Sequence, residues 1–230
     1  MRPRLFWVVF ALLIGLHGAL MFVPRIFPLI DLPYQLSAAT IYRHYDAPGS
    51  PFPDFYSIDV LPNPNVAHLL FCGSGLVPGG VETANRIFLI LCVILLPVAT
   101  LVTLRRWGCD PWLSLLSFLL VYHYSFSWGF PGYALAVPFV LIGALILGEH
   151  RTRPRAWSRL LLAAWPLLLY GMHLLAALFF AWLLLLHAAS LLHRARRRAL
   201  LDLAVVAPLA VLVVLWQARG GWGAEGPGVV

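Results

Sequence analysis

The chain alternates between long, Leu-rich apolar runs and short polar breaks, and the breaks carry most of its arginines. The apolar runs are continuous and do not alternate from residue to residue, so they read as helices and not as strands of a membrane barrel. Runs at 5–23 and 84–104 each have about the 20 residues that a helix needs to cross the hydrocarbon layer. The block at 111–147 is too long for one crossing. It is interrupted by Trp128-Gly129-Phe130-Pro131-Gly132, which predicts a hairpin with arms 111–128 and 132–148. The next block divides likewise into 156–173 and 174–192, turning near Gly171-Met172-His173, and a last run covers 200–216. The pattern predicts an all-α, polytopic transmembrane helix bundle of about seven spans.

Between the first two spans lies an external loop, 24–83, of which 24–65 is the only long polar segment. Tyr34, Ile41, Tyr42, Tyr45, Phe52, Phe55, Tyr56 and Ile58 make it too aromatic and too β-branched for a solvated linker. From Leu32 to Tyr45 a helix would align Tyr34, Ala38, Ile41 and Tyr45 along one stripe, which suits the membrane interface. The apolar stretch 66–77 is too short to span and predicts a re-entrant or interfacial segment.

Composition agrees. With 61% hydrophobic residues, 11% charged residues and a mean hydropathy of +0.86, the chain lies well outside the range of soluble domains. A net charge of +7 would suggest a nucleic-acid partner in a soluble protein, but every basic residue is Arg and most of them flank apolar runs. That distribution reads as topology, with the lipid bilayer as the partner and no nucleic acid. Clusters at Arg2 and Arg4, Arg105 and Arg106, Arg151 to Arg159, and Arg194 to Arg198 are expected on the cytoplasmic side, with an even number of crossings between successive clusters. The N-terminus is then cytoplasmic, the first loop external, and the location the inner membrane. The first run has a basic flank but no A-x-A cleavage site, so it reads as a signal anchor. Cys72, Cys92 and Cys109 would lie at different depths, and no Cys or His spacing points to a metal.

Candidate chemistry concentrates where the loop helix begins. Asp31 precedes it, and Gln35 would share its face one turn later. Asp31 reads either as a helix N-cap, with Pro33 tolerated in the first turn, or as a carboxylate at the membrane surface acting as general base or as a ligand for a divalent ion. Arg43 and His44 are candidates for holding a lipid phosphate, since Arg offers a bidentate fork, although a snorkelling interfacial Arg explains the same pattern. His173, beside Tyr170 at an outer turn, would face the same side as Asp31, or serve only as an interfacial ring. His17 and His187 read as bonding across helices.

The run Pro28-Leu29-Ile30-Asp31-Leu32-Pro33-Tyr34-Gln35-Leu36-Ser37-Ala38-Ala39 resembles the first-loop signature of bacterial polytopic membrane proteins of the GT-C glycosyltransferase type. Phe55-Tyr56, Pro62-Asn63-Pro64-Asn65, Ala84-Asn85-Arg86, Trp128 to Tyr133 and Tyr170-Gly171-Met172-His173 follow in the order such proteins show. The resemblance covers about residues 5–190 in short, degenerate motifs. It implies a GT-C-like fold and transfer of a sugar from a polyprenyl-phosphate donor on the extracytoplasmic face. Asp31 would be the catalytic carboxylate, with Gln35, Arg43, His44 and His173 on the substrate. Gln35 departs from the pattern, since similar proteins often carry His there, and a second acidic residue beside Asp31 is absent. Proteins of this type run longer, which leads to the expectation that these 230 residues belong to a longer reading frame. The rival functions are a non-catalytic assembly or scaffold subunit and a transporter. A transporter should carry charged or helix-breaking residues in repeated mid-membrane positions, and no charge falls deep in a predicted span.

Overall fold

The structure, a computed structural model, describes residues 3–25 and 27–221. Among them the chain is helical and contains no β-strand: α1 (Pro3–Leu20), α2 (Leu32–His44), α3 (Ala67–Gly73), α4 (Gly80–Arg106), α5 (Ser117–Leu120), α6 (Tyr124–Ser127), α7 (Pro131–Thr152), α8 (Ala156–Met172), α9 (Leu174–Leu191), α10 (Arg196–Leu203) and α11 (Ala207–Ala218). A short 3-10 turn, Ala204–Val206, joins the last two into one continuous helix, Arg196–Ala218. This helix, α4, α7 and α9 are long and apolar enough to cross a membrane. By their length and composition the chain is a membrane protein. The other predicted crossings form shorter helices, α1 and α8, or none.

The segment expected to cross at 111–128 is not one helix. Asp110 accepts a bond from the Trp112 amide at 3.0 Å and starts a 3-10 stretch, Pro111–Leu116. Ser114 and Ser117 then donate their hydroxyls to the carbonyls three residues back, at 2.6 and 2.5 Å, so side chains compete for the acceptors an α-helix would use. Two four-residue helices, α5 and α6, follow, and Gly129 ends the run at φ +90°. Apolar periodicity cannot distinguish this broken path from a continuous helix.

The chain separates into two compact units. One comprises Met1–Pro53 and Ala67–Pro138, the other Asp54–Val66 and Phe139–Val230. The first loop is therefore shared: α2 and α3 pack in the first unit, while Asp54–Val66 packs in the second.

In the first unit α4 is the spine. Its 27 residues span about 40 Å at 1.5 Å each, enough for the whole bilayer. Glu82 in its first turn and Arg105 and Arg106 in its last complement the helix dipole. Leu101 packs with Phe6, Phe10 and Phe118 near one end. At the other, Val81 and Ala84 pack with Ala39 of α2 and Cys72 of α3. Close approach of α2 and α3 depends on Gly73, where a Cβ would stand 2.9 Å from the Ala39 carbonyl oxygen.

In the second unit α9 is apolar on every side, so hydrophobicity alone cannot choose its packing face; size chooses it. Ala176, Ala177, Ala181 and Ala188 are buried around Phe180 and Leu184, while the exposed Leu175, Leu178, Phe179, Trp182 and Leu186 are all large. Without a hydrophobic drive between helices in lipid, small residues let backbones approach and gain dispersion contacts. Gly143 does the same for α7, since a Cβ there would meet Phe180 and Trp165 at 2.6 Å.

Candidate functional site

The sequence predicts a helix from Leu32, and α2 begins there. Asp31 does not cap it with its side chain. A capping residue usually adopts extended dihedrals so that its carboxylate can reach back to the N2 or N3 amide. Asp31 instead sits in the helical region, at φ −90° and ψ −5°, and Pro33 has removed one of the amides a cap would serve. The backbone holds it: the Asp31 amide donates to the Trp128 carbonyl at 2.8 Å. Gly129 allows this seat, because a Cβ there would stand 2.7 Å from the Leu32 nitrogen and 2.9 Å from that of Asp31. The Trp128-Gly129 and Asp31-Leu32 motifs, far apart in sequence, are thus two halves of one backbone junction.

Beside this junction is a cavity of about 170 Å³, lined by Arg25, Phe27, Leu32, Pro33, Leu36, Glu82, Asn85 and Arg86. Arg86 is fixed in place. Its Nη1 donates to the Met21 carbonyl at 3.0 Å, its Nη2 to that of Arg25 at 3.3 Å, and its guanidinium lies 5.4 Å from the centre of the Phe27 ring. Leu36 and Glu82 also line a second cavity of about 380 Å³ with Ser37, Thr40, Ile41, Phe52 and Val81. Two guanidiniums against one carboxylate in a mainly apolar wall suit an amphiphilic anion better than a divalent cation.

Of the lining residues, Asn85 is 2% exposed and its Oδ1 stands 2.9 Å from His68 Nε2. Burial lowers the His68 pKa, and the bond to Asn85 opposes this in part. Cys72 Sγ is 3.4 Å from the same ring nitrogen, but burial pushes its thiol up to about 12, so it stays protonated and unreactive near neutrality.

The other predicted residues spread widely. Gln35 follows Asp31 by one turn, its amide bonded to the Asp31 carbonyl at 3.2 Å. Arg43 and His44 lie at the far end of α2, about 18 Å from Asp31 by helical rise. Arg43 Nη1 is buried with no hydrogen-bond partner among the described residues, whereas His44 is exposed. His173 belongs to the second unit, where its Nδ1 accepts from the Leu175 amide at 3.3 Å and caps α9. There the Pro62-Asn63-Pro64-Asn65 and Tyr170 to His173 motifs also prove to be partners. Tyr170 donates its hydroxyl to the Pro62 carbonyl at 2.6 Å, the Asn65 amide donates to the Tyr170 carbonyl at 3.1 Å, and Asn65 Oδ1 accepts from the Leu174 amide at 2.8 Å.

No known family model, curated protein or solved structure matches the chain. The residues themselves carry the functional argument.

A second polar cluster lies in the second unit; the sequence pointed only to its His187, as a residue bonding across helices. Asp202 is 3% exposed; its Oδ1 is 3.2 Å from His150 Nε2 and 3.0 Å from Arg159 Nε, and its Oδ2 is 3.4 Å from His187 Nε2 and 3.5 Å from Arg198 Nε. His150 Nδ1 is 2.6 Å from Ser158 Oγ. His150, His187 and Asp202 bring ligand-type atoms within 4.8 Å of one another, a spacing that would admit a metal ion. The donor set does not favour one, because both carboxylate oxygens already face guanidiniums that a cation would have to displace. The cluster is a buried ion-pair network. Sequence reading missed it because Asp202, Arg198 and Arg159 looked like separate flanking charges; the signal was the four-residue spacing of Arg198 and Asp202 on one helix.

Proposed function

We propose that the chain is a GT-C-like glycosyltransferase, or a relative of one, that crosses the membrane about seven times and takes its sugar from a polyprenyl-phosphate donor on the extracytoplasmic face. The observation that carries this reading is the cavity beside Asp31: its apolar wall of Phe27, Leu32, Pro33 and Leu36 suits a prenyl chain, and Arg25 and Arg86 suit a phosphate. Asp31 is not itself among the lining residues; it precedes Leu32, which is, and its carboxylate is committed to no cap. In the proposed reaction Asp31 takes the proton of an acceptor hydroxyl and the acceptor oxygen bonds to the anomeric carbon. The bond from that carbon to the phosphate oxygen breaks, and polyprenyl phosphate leaves with the electron pair. In this reading Gln35, one turn further along α2, orients the acceptor.

The test is transfer from a labelled polyprenyl-phosphate sugar by the full chain in membranes. Asp31→Asn should lose about 10²–10⁴ in rate, the usual worth of a general base, while expression stays normal because no side-chain cap is lost. Activity within about threefold of the parent would remove Asp31 from the mechanism. An unsubstituted chain that transfers no sugar would favour the scaffold reading.

A further inference from the structure

The start of α10 contradicts the usual charge rule for helices. A helix N-terminus carries partial positive charge and favours acidic residues. Here the first three positions are Arg196, Arg197 and Arg198, the first turn has no acid, and Ala195 supplies no side-chain cap. These residues line an open cleft of about 560 Å³ with Arg159, Pro154 and Leu201.

Asp202, buried behind the cleft, leaves this charge largely unbalanced, since its single carboxylate is shared by Arg159, Arg198 and two imidazoles. It does hold two of the arginines still. Arg159 is fixed through Nε, and Arg198 additionally donates Nη2 to the carbonyls of His150 and Arg151 at 2.9 and 3.1 Å. Arg196 and Arg197 are exposed. Fixed guanidiniums lose little side-chain freedom on meeting an anion, and the uncapped amides of the first turn add donors. The cleft opens at the end of an apolar helix, Arg196–Ala218, whose Leu200, Leu201 and Leu203 are exposed.

We propose that this cleft binds the phosphate of an anionic phospholipid, with an acyl chain along Leu200, Leu201 and Leu203. A soluble phosphate would satisfy the arginines equally but would gain nothing from the leucines. This site is separate from the Asp31 cavity and stands whether or not the chain transfers sugar.

Native mass spectrometry of the full chain in detergent tests it, with phosphatidylglycerol and phosphatidylcholine of identical acyl chains as probes. Phosphatidylglycerol should bind and phosphatidylcholine should not, and binding should weaken as sodium chloride rises. Arg196→Gln with Arg197→Gln should weaken phosphatidylglycerol binding about 30-fold, each surface arginine near an anionic headgroup contributing about fivefold. Arg105→Gln with Arg106→Gln, an equal loss of charge in the other unit, should leave it unchanged. Equal binding of both lipids, salt-independent binding to the unsubstituted chain, or an unaffected Arg196/Arg197 variant would overturn the proposal. Displacement of the lipid by inorganic phosphate at equal concentration would overturn it too, assigning the cleft to a soluble anion. Should the double Gln variant not fold, Arg196→Lys with Arg197→Lys and the salt series on the parent chain keep the question decidable.

Discussion

At the scale of single residues, the loop rests on buried polar groups whose protonation matters. His68 is 1% exposed, and burial holds its pKa below the usual 6.5, so the fold accommodates the neutral ring. Below pH 6.5 the unfolded chain binds a proton that the folded chain does not. The His68 contribution is therefore complete above pH 6.5 and is lost as pH falls through the lower folded value. Thermal unfolding in detergent should show a midpoint that drops between pH 7 and pH 5, and His68→Gln should flatten that drop. A slope unchanged by the substitution would show that the ring is not held neutral. Asp31 illustrates the opposite case, since its identity was legible in the sequence and its local role was not. The cap reading counted the side chain and its distance from the helix, but the dihedrals are set by the Trp128 carbonyl, almost a hundred residues away.

At the scale of elements, the apolar runs were largely readable and the breaks within them were not. Continuous Leu-rich runs announce α4, α7, α9 and the last helix because lipid leaves the backbone no other means of satisfaction. Whether such a run stays continuous depends on hydroxyls bonding back to carbonyls, as at Ser114 and Ser117, and apolar periodicity carries no trace of that. The short motifs show a related limit. They were visible one by one, yet their meaning lies in pairing: Trp128-Gly129 seats Asp31, and Pro62 to Asn65 seats the turn between α8 and α9. Asn65 is central to the second pair, because it combines φ +64° with an acceptor for the Leu174 amide. Asn tolerates that left-handed conformation better than most residues. Asn65→Ala should cost about 1–3 kcal/mol, from the unpaired amide together with the backbone strain. Asn65→Asp, which keeps the acceptor and tolerates the same dihedrals, should stay close to the parent. Comparison of the two thermal midpoints decides it, and an Ala variant as stable as the Asp variant would refute the role.

For the molecule as a whole, orientation in the membrane turns on the broken segment Pro111–Ser127. Between Ser50 and Ala195 the chain contains four long helices, α4, α7, α8 and α9, besides the short α3, α5 and α6. If these four cross and the broken segment does not, Ser50 and Ala195 face the same side. If the broken segment also crosses, five passages separate them and they face opposite sides. Arginine placement distinguishes the two cases. Arg105 and Arg106 close α4, and Arg151, Arg153 and Arg155 lie at and just beyond the end of the next full-length helix, α7. Without a crossing at 111–127, α7 alone would separate these clusters and place them on opposite sides, against the strong preference of arginine for the cytoplasmic face. The broken segment is therefore expected to traverse the membrane with α7 as the other arm of a hairpin. Its internal breaks are tolerable where neighbouring side chains and carbonyls satisfy the freed groups, as the two serine hydroxyls do. Single-cysteine labelling reads this parity directly, once Cys72, Cys92 and Cys109 have been replaced by Ser. An impermeant maleimide added to intact cells should modify Ser50→Cys and spare Ala195→Cys until the membrane is opened. Modification of both in intact cells would show that the broken segment does not cross, and modification of Ala195→Cys alone would invert the whole topology.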